Sequence, residues 1–131
     1  MTHVIDSEFY KHVYATQEMR DVFDPQKRLQ RWLDIQAALT SMQARMGLIP
    51  QEDADEIAKC CELNQLEFLP NSHNFCGSDQ LLSSLLDAVK TACGNSAADY
   101  VSSGVCAQDI QDTATVLEIK DAYMIMLRDL L

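Results

Sequence analysis

Apolar residues recur at spacings of three and four along most of the chain, and no stretch keeps the strict alternation of a half-buried strand. That pattern predicts an all-α fold. Residues 1–23 form a lead-in with one short helix near Ser7 to Tyr14; its His3 and His12 belong to no motif. Asp24 and Pro25 then supply an N-cap and a proline at the first helical position, predicting a helix that runs to about Met46 and is ended by Gly47. Its stripe of Trp32, Ile35, Leu39, Met42 and Met46, widened by Leu29 and Leu33, is expected to face the core. After a corner at Leu48, Ile49 and Pro50, a second helix carries a narrow apolar face of Ala54, Ile57, Ala58 and Cys61 among acids, which places it on the surface. Periodicity lapses in the loop FLPNSHNFCG, 68–77, where Pro70, Asn71, Ser72 and Gly77 are turn formers. Ser78 caps a helix with a dense stripe of Leu81, Leu82, Leu85, Leu86 and Val89, closed at Cys93 and Gly94. Residues 95–99 read as a linker.

The stretch from Tyr100 to Leu131 differs from the rest. A loop with Ser102, Ser103, Gly104 and Cys106 leads into a helix predicted to start near Ala107, with Asp109 and Asp112 in its first turns, where carboxylates favour the positive end of the helix dipole. Such a helix start offers backbone N–H groups to a carboxylate or phosphate, although nearly all helix starts bind only water or their own cap. Further along, Leu117, Met124, Leu127 and Leu131 share one line, and Val116, Ile119, Tyr123, Met126 and Leu130 the neighbouring one. A helix apolar over more than half its circumference needs neighbours on several sides. Each exposed large side chain forgoes roughly 1.5–3 kcal/mol of burial. Self-association through Val116 to Leu131, or further polypeptide beyond Leu131, is the expectation. The organisation is therefore read as a helical domain, 1–99, followed by a loop and a long helix, 100–131.

Composition removes several functions. With 131 residues and 47% hydrophobic content the chain can build one real core, and a net charge of -10 disfavours a nucleic-acid polymer or an anionic membrane as partner. The basic cluster QKRLQR, Gln26 to Arg31, reads as a solvated face. Acids and bases at Glu118, Lys120, Asp121, Arg128 and Asp129 interrupt the last helix too often for a membrane span. Five cysteines, Cys60, Cys61, Cys76, Cys93 and Cys106, show neither an even count nor a zinc-type spacing, even with His73 included. No metal is assigned, and with no secretory leader pattern a reducing cytoplasm is expected. Cys106 lacks an identifiable base, and Asp109 and Asp112 oppose a thiolate, so it is read as buried or inert rather than as a nucleophile.

Two motifs carry a resemblance. The run EMRDVFDPQKRLQRWLDIQAALTSMQARMGLIPQEDADEI, Glu18 to Ile57, resembles the opening of the fumarase and aspartase superfamily, nearest to its adenylosuccinate lyase and 3-carboxy-cis,cis-muconate cycloisomerase branch, through the spacing of Phe23, Leu29, Trp32, Ala37, Ala38, Leu39 and Gly47 to Pro50. The run YVSSGVCAQDIQDTATVLEIKDA resembles the branch's second signature, usually Tyr-Val-His-Trp-Gly-Ala-Thr-Ser-Gln-Asp-Ile followed by Asp-Thr-Ala and a long helix. The resemblance covers nearly the whole chain. It implies the N-terminal helical domain of that fold running into the first long helix of a central bundle. It also implies a homotetramer whose sites are assembled from three subunits, a small carboxylate-bearing substrate, no cofactor, and release of fumarate from a succinyl-substituted amine by β-elimination. The family's chains are much longer and carry a third, serine-containing loop beyond this point. The chain therefore resembles the N-terminal part of a lyase, inactive alone; a shortened non-catalytic interaction module or a diverged cycloisomerase relative is the alternative.

Residue by residue, the resemblance places His73 where the first signature often has a histidine, suited by its pKa range to proton transfer, and an incidental loop histidine is the equal alternative. Gln108, Asp109, Asp112 and Thr113 match the second signature and are expected to shape the helix start and an anion pocket. Ser102 stands where the family has its general-acid histidine, Ser103 where it has tryptophan, Cys106 and Ala107 where it has the Thr-Ser pair that binds a substrate carboxylate, and Gln36 where glutamate is usual. A serine cannot donate a proton at neutral pH as an imidazolium can, and alanine removes a hydroxyl donor. The ordinary reaction of the branch is thereby in doubt for these residues.

Overall fold

The computed structural model describes residues 7–68 and 78–131. Among them are seven α-helices, one 3-10 turn at Leu63–Gln65 and no strand. The helices are α1 (Lys11–Tyr14), α2 (Gln17–Val22), α3 (Pro25–Arg45), α4 (Gln51–Cys60), α5 (Ser78–Ala92), α6 (Asn95–Ala98) and α7 (Ala107–Leu130). The expected all-α class holds.

Helix α3 is the centre, packed by α4, α5 and α7. It starts where capping chemistry dictates: the Asp24 carboxylate accepts from the backbone N–H groups of Gln26 (2.9 Å) and Lys27 (3.0 Å), and Pro25 occupies the first turn. It ends at Gly47, whose φ of 74° suits a residue without a Cβ. The face it buries is rotated from the one expected. Leu29, Trp32, Leu33, Gln36 and Thr40 are buried, whereas Ile35 and Leu39 are half-buried and Met42 and Met46 are exposed. The two buried polar residues are tolerated because they pair one turn apart: Gln36 Nε2 donates to Thr40 Oγ1 (3.0 Å), which donates to the Gln36 carbonyl (2.8 Å).

Helix α4 lies on the surface as expected, with its narrow apolar face turned inward. Ala54, Ile57 and Cys61 are wholly or nearly wholly buried, while Gln51, Glu52 and Asp55 remain in water. Helix α5 presents Leu82, Leu85, Leu86 and Val89 to the same core as expected. The stretch read as a linker instead contains α6, which buries Ala97 against α4 and α5.

Helix α7 meets the domain through Ile110, Ala114, Glu118 and Ala122, a line of residues four apart that combines one branched apolar residue, two alanines and a carboxylate. Glu118 is 1% exposed and is held by Arg28 of α3 through a two-pronged ion pair, Nε to Oε1 at 2.8 Å and Nη2 to Oε2 at 2.5 Å. Arg31 bonds Asp121 (2.8 Å) and Glu18 of α2 bonds Arg128 (2.9 Å) along the same seam. The basic cluster is therefore not merely solvated, since Arg28 and Arg31 fasten α7. Most of the large apolar residues along the rest of the helix point away: Val116, Ile119, Tyr123, Met124, Met126, Leu130 and Leu131 are all exposed.

Candidate functional site

The loop 99–106 is set by two backbone devices and one side chain. Ser102 has φ 67° and Gly104 φ 72°, so the chain reverses twice through the left-handed region within three residues. Gln43, near the C-terminal end of α3, donates its Nε2 to the Ser103 carbonyl at 2.8 Å and fixes the loop to the domain. A non-glycine residue at φ 67° is uncommon, and it occurs at the position of interest.

The start of α7 is occupied by its own residues. The Cys106 N–H donates to Asp109 Oδ2 (3.1 Å), Thr113 Oγ1 donates to the Asp109 carbonyl (2.6 Å), and Gln108 Nε2 donates to Asp112 Oδ1 (2.6 Å). Gln108, Asp109, Asp112 and Thr113 thus build the helix start, with the Asp109 carboxylate turned back onto the N-cap N–H. Cys106 is exposed, which leaves only the inert half of its reading as a buried or inert thiol, while Ser103 is exposed and Ala107 half-buried.

Beside the loop a cleft of about 280 Å³ opens between α5 and α7, lined by Ser83, Leu86, Asp87, Lys90, Ser102, Val105, Ala107 and Ile110. It brings together Ser102 and Ala107 of the residues singled out in the sequence. Its charged residues, Lys90 and Asp87, pair with each other at 3.2 Å, so the cleft offers hydroxyls and a neutralised ion pair rather than an acid or base poised for catalysis. His73 lies outside the described residues. Ser83, Asp87, Lys90 and Gln43 were not singled out in the sequence; the first three recur at helical spacing beside the leucine stripe of α5, a signal that a search for a polar line on that helix would find. Among the described residues no group of three or more His, Cys, Asp or Glu could hold a metal ion. No helix among them is long and apolar enough to cross a membrane.

A central helix wrapped by shorter ones, with a twice-reversed loop feeding a 24-residue helix whose bulky face is uncovered, defines an all-α domain built to present the start of a long bundle helix. No family model matches the chain. It is 34% identical over 128 residues to N-acetyl-S-(2-succino)cysteine lyase of Enterococcus italicus, covering 98% of this chain and 28% of that protein. It is also 34% identical over 126 residues to adenylosuccinate lyase of Methanocaldococcus jannaschii, covering 90% of this chain and 27% of the relative. Its fold matches the crystal structure of a fumarate lyase from Mesorhizobium sp. BNC1 with a TM-score of 0.71 and 30% identity, over 87% of this chain and 27% of the other. The chain belongs to the fumarase/aspartase superfamily of lyases, and it spans about a quarter of the length of these relatives.

Proposed function

We propose that the chain is the N-terminal part of a lyase that releases fumarate from a succinyl adduct by β-elimination, and that it lacks activity on its own. The observation that carries this reading is identity spread along 98% of the chain to a succinyl-adduct lyase, together with the shared fold. The start of α7 and its loop, with Ser102, Ser103, Cys106, Ala107, Gln108 and Asp109, form one wall of the substrate site. The remaining walls come from polypeptide outside this chain and from other subunits docked on the exposed face of α7.

The leaving group is better read as sulfur than nitrogen. In β-elimination a base removes the proton on the carbon beside one carboxylate, the bond to the leaving atom breaks, and the double bond of fumarate forms. An amine departs only when a general acid protonates it. A thiol has a pKa of ~8.5 and departs as thiolate without that help. Ser102 stands where the resemblance expects an imidazole, and a neutral hydroxyl is adequate for a thioether but not for an amine. The name of the Enterococcus italicus relative, a lyase of a succinylated cysteine, points the same way.

Two assays test this. The 131-residue chain alone should release no fumarate above background from adenylosuccinate or from N-acetyl-S-(2-succino)cysteine; release from either would overturn the claim of dependence on other polypeptide. Grafted in place of the matching segment of the Enterococcus italicus lyase, the chain should support cleavage of the thioether over adenylosuccinate, and Ser102→His should narrow that preference. An unchanged ratio in a folded Ser102→His graft would remove the leaving-group argument.

A further inference from the structure

We propose that Gln43 is a positioning residue for the substrate wall, setting the loop that presents Ser102; this role rests on the lyase reading above. The loop 99–106 has firm ends and a middle that must be held. Val101 is 4% exposed at one end, and Val105 and Ala107 pack against the core at the other. Between them Ser102 and Gly104 both occupy the left-handed region, with φ 67° and 72°, and a non-glycine residue stays there only where its surroundings impose it. Two bonds at Ser103 do so. Its N–H donates to the Tyr100 carbonyl at 3.1 Å, and its carbonyl accepts from Gln43 Nε2 at 2.8 Å. Together they fix both peptide planes that lie between the two left-handed residues, and so the direction in which Ser102 is offered.

Gln43 works from a rigid base. It lies in the last turn of α3, yet its carbonyl accepts from the Leu48 N–H at 2.9 Å across the turn made by Gly47, which keeps that turn from fraying. Its amide also touches the second left-handed residue, since a Cβ built on Gly104 would stand 3.4 Å from Nε2. Gln43 Oε1 is buried without a hydrogen-bond partner. An unbranched apolar side chain at 43 therefore removes one bond and one stranded acceptor together, and should leave stability nearly unchanged. The start of α7 is held independently, by Asp109 on the Cys106 N–H (3.1 Å) and by buried Ile110. Loosening Ser103 thus misplaces Ser102 at the leaving-group end of the substrate and leaves the helix start intact.

The first test is amide hydrogen exchange of the 131-residue chain, read on peptides covering 99–106. Gln43→Met should speed exchange there by about threefold or more, leave α5 and α7 unchanged, and keep the thermal midpoint within a few degrees of the parent. Gln43→Glu, of the same shape but unable to donate when ionised, should behave alike. Unchanged loop exchange in both variants overturns the proposal. The second test uses the Enterococcus italicus graft with N-acetyl-S-(2-succino)cysteine. There Gln43→Met should lower kcat by roughly 10-fold or more while KM stays within about twofold. With Ser102 already replaced by alanine, Gln43→Met should change kcat by less than about twofold, because it acts through Ser102. In an active graft, an unchanged kcat in Gln43→Met, a Ser102→Ala variant as fast as its parent, or losses that add in the double variant overturn this proposal alone. A graft that folds and assembles yet releases no fumarate before either substitution overturns the lyase reading, and the catalytic role of Gln43 with it.

Discussion

Replacing Arg28 by alanine tests how α7 is held on the domain. Glu118 is 1% exposed and receives both of its cross-helix bonds from Arg28, at 2.8 and 2.5 Å, so Arg28→Ala leaves a carboxylate buried without its cation. Removing one partner of a fully buried pair costs about 3–5 kcal/mol. The Arg28 side chain is 45% exposed, and its truncation admits water to Glu118, so the loss here should be about 2 kcal/mol, near the value for an unmade bond to a charged group. With an unfolding entropy of about 2.1 cal/mol/K per residue, that loss lowers the Tm of a chain of this length by about 7 °C. Glu118→Gln removes the buried charge and leaves Arg28 free to reach water, and should cost no more than about 1 kcal/mol. The double variant Arg28→Met, Glu118→Leu should return close to the parent, because an apolar pair of similar volume needs no desolvation. Urea unfolding of these proteins measures each loss, and adding the double variant Arg28→Ala, Glu118→Gln closes the cycle that gives the coupling. Equal, additive losses in the two single variants, or an Arg28→Ala loss below about 0.5 kcal/mol, would refute the assignment of this pair as the anchor of α7.

Other outcomes follow from the same structure. Gln36 is fully buried with Oε1 lacking a hydrogen-bond partner, so Gln36→Leu should cost less than about 1 kcal/mol while Gln36→Glu, which buries a charge in the same place, should cost more than about 2 kcal/mol in urea unfolding. Asp24→Ala removes the cap of α3 and should lower stability by about 1 kcal/mol, with Asp24→Asn largely neutral. Cys61 has its pKa raised in the folded chain to about 12, so its contribution is fully present below the unfolded thiol value of ~8.5 and is lost as pH rises toward about 12. The stability difference between the parent and Cys61→Ala should accordingly shrink across that window in thermal melts. The uncovered face of α7, with Leu130 at 84% and Val116 at 63% exposure, should drive concentration-dependent association in light scattering. Ile119→Glu with Met126→Glu should abolish it, and a strict monomer at high concentration in the parent would contradict it.

Much of this fold was legible because helix ends are written in local chemistry. The Asp24-Pro25 start of α3, the Gly47 stop and the Ala107 start of α7 depend on residues within one turn, and the structure has all three in place. The orientation of helices was less legible because it is settled by partners distant in sequence. The need of Val116 to Leu131 for outside neighbours could be read from the sequence, but the face α7 turns to the domain could not, because burial of Glu118 among Ile110, Ala114 and Ala122 depends on Arg28, 90 residues away. Likewise Gln36 and Thr40 read as polar gaps in α3 until their mutual bonds are seen. Helix α6 is four residues long and too short for a period to register. At the candidate site the roles of Asp109 and Ser102 as a capping carboxylate and a strained loop residue follow from the structure, whereas Gln43 and the Asp87 and Lys90 pair became visible only once α3 and α5 were placed beside the loop.

The central claim is that these residues form one wall of a fumarate-releasing site that other polypeptide completes. It is tested most directly by the rate of fumarate appearance when the Enterococcus italicus lyase carrying this chain as a graft is given N-acetyl-S-(2-succino)cysteine. Steady release by the graft, with none from the 131-residue chain alone, is the expected result. A graft that folds and assembles like its parent enzyme yet releases no fumarate from this substrate or from adenylosuccinate would contradict it.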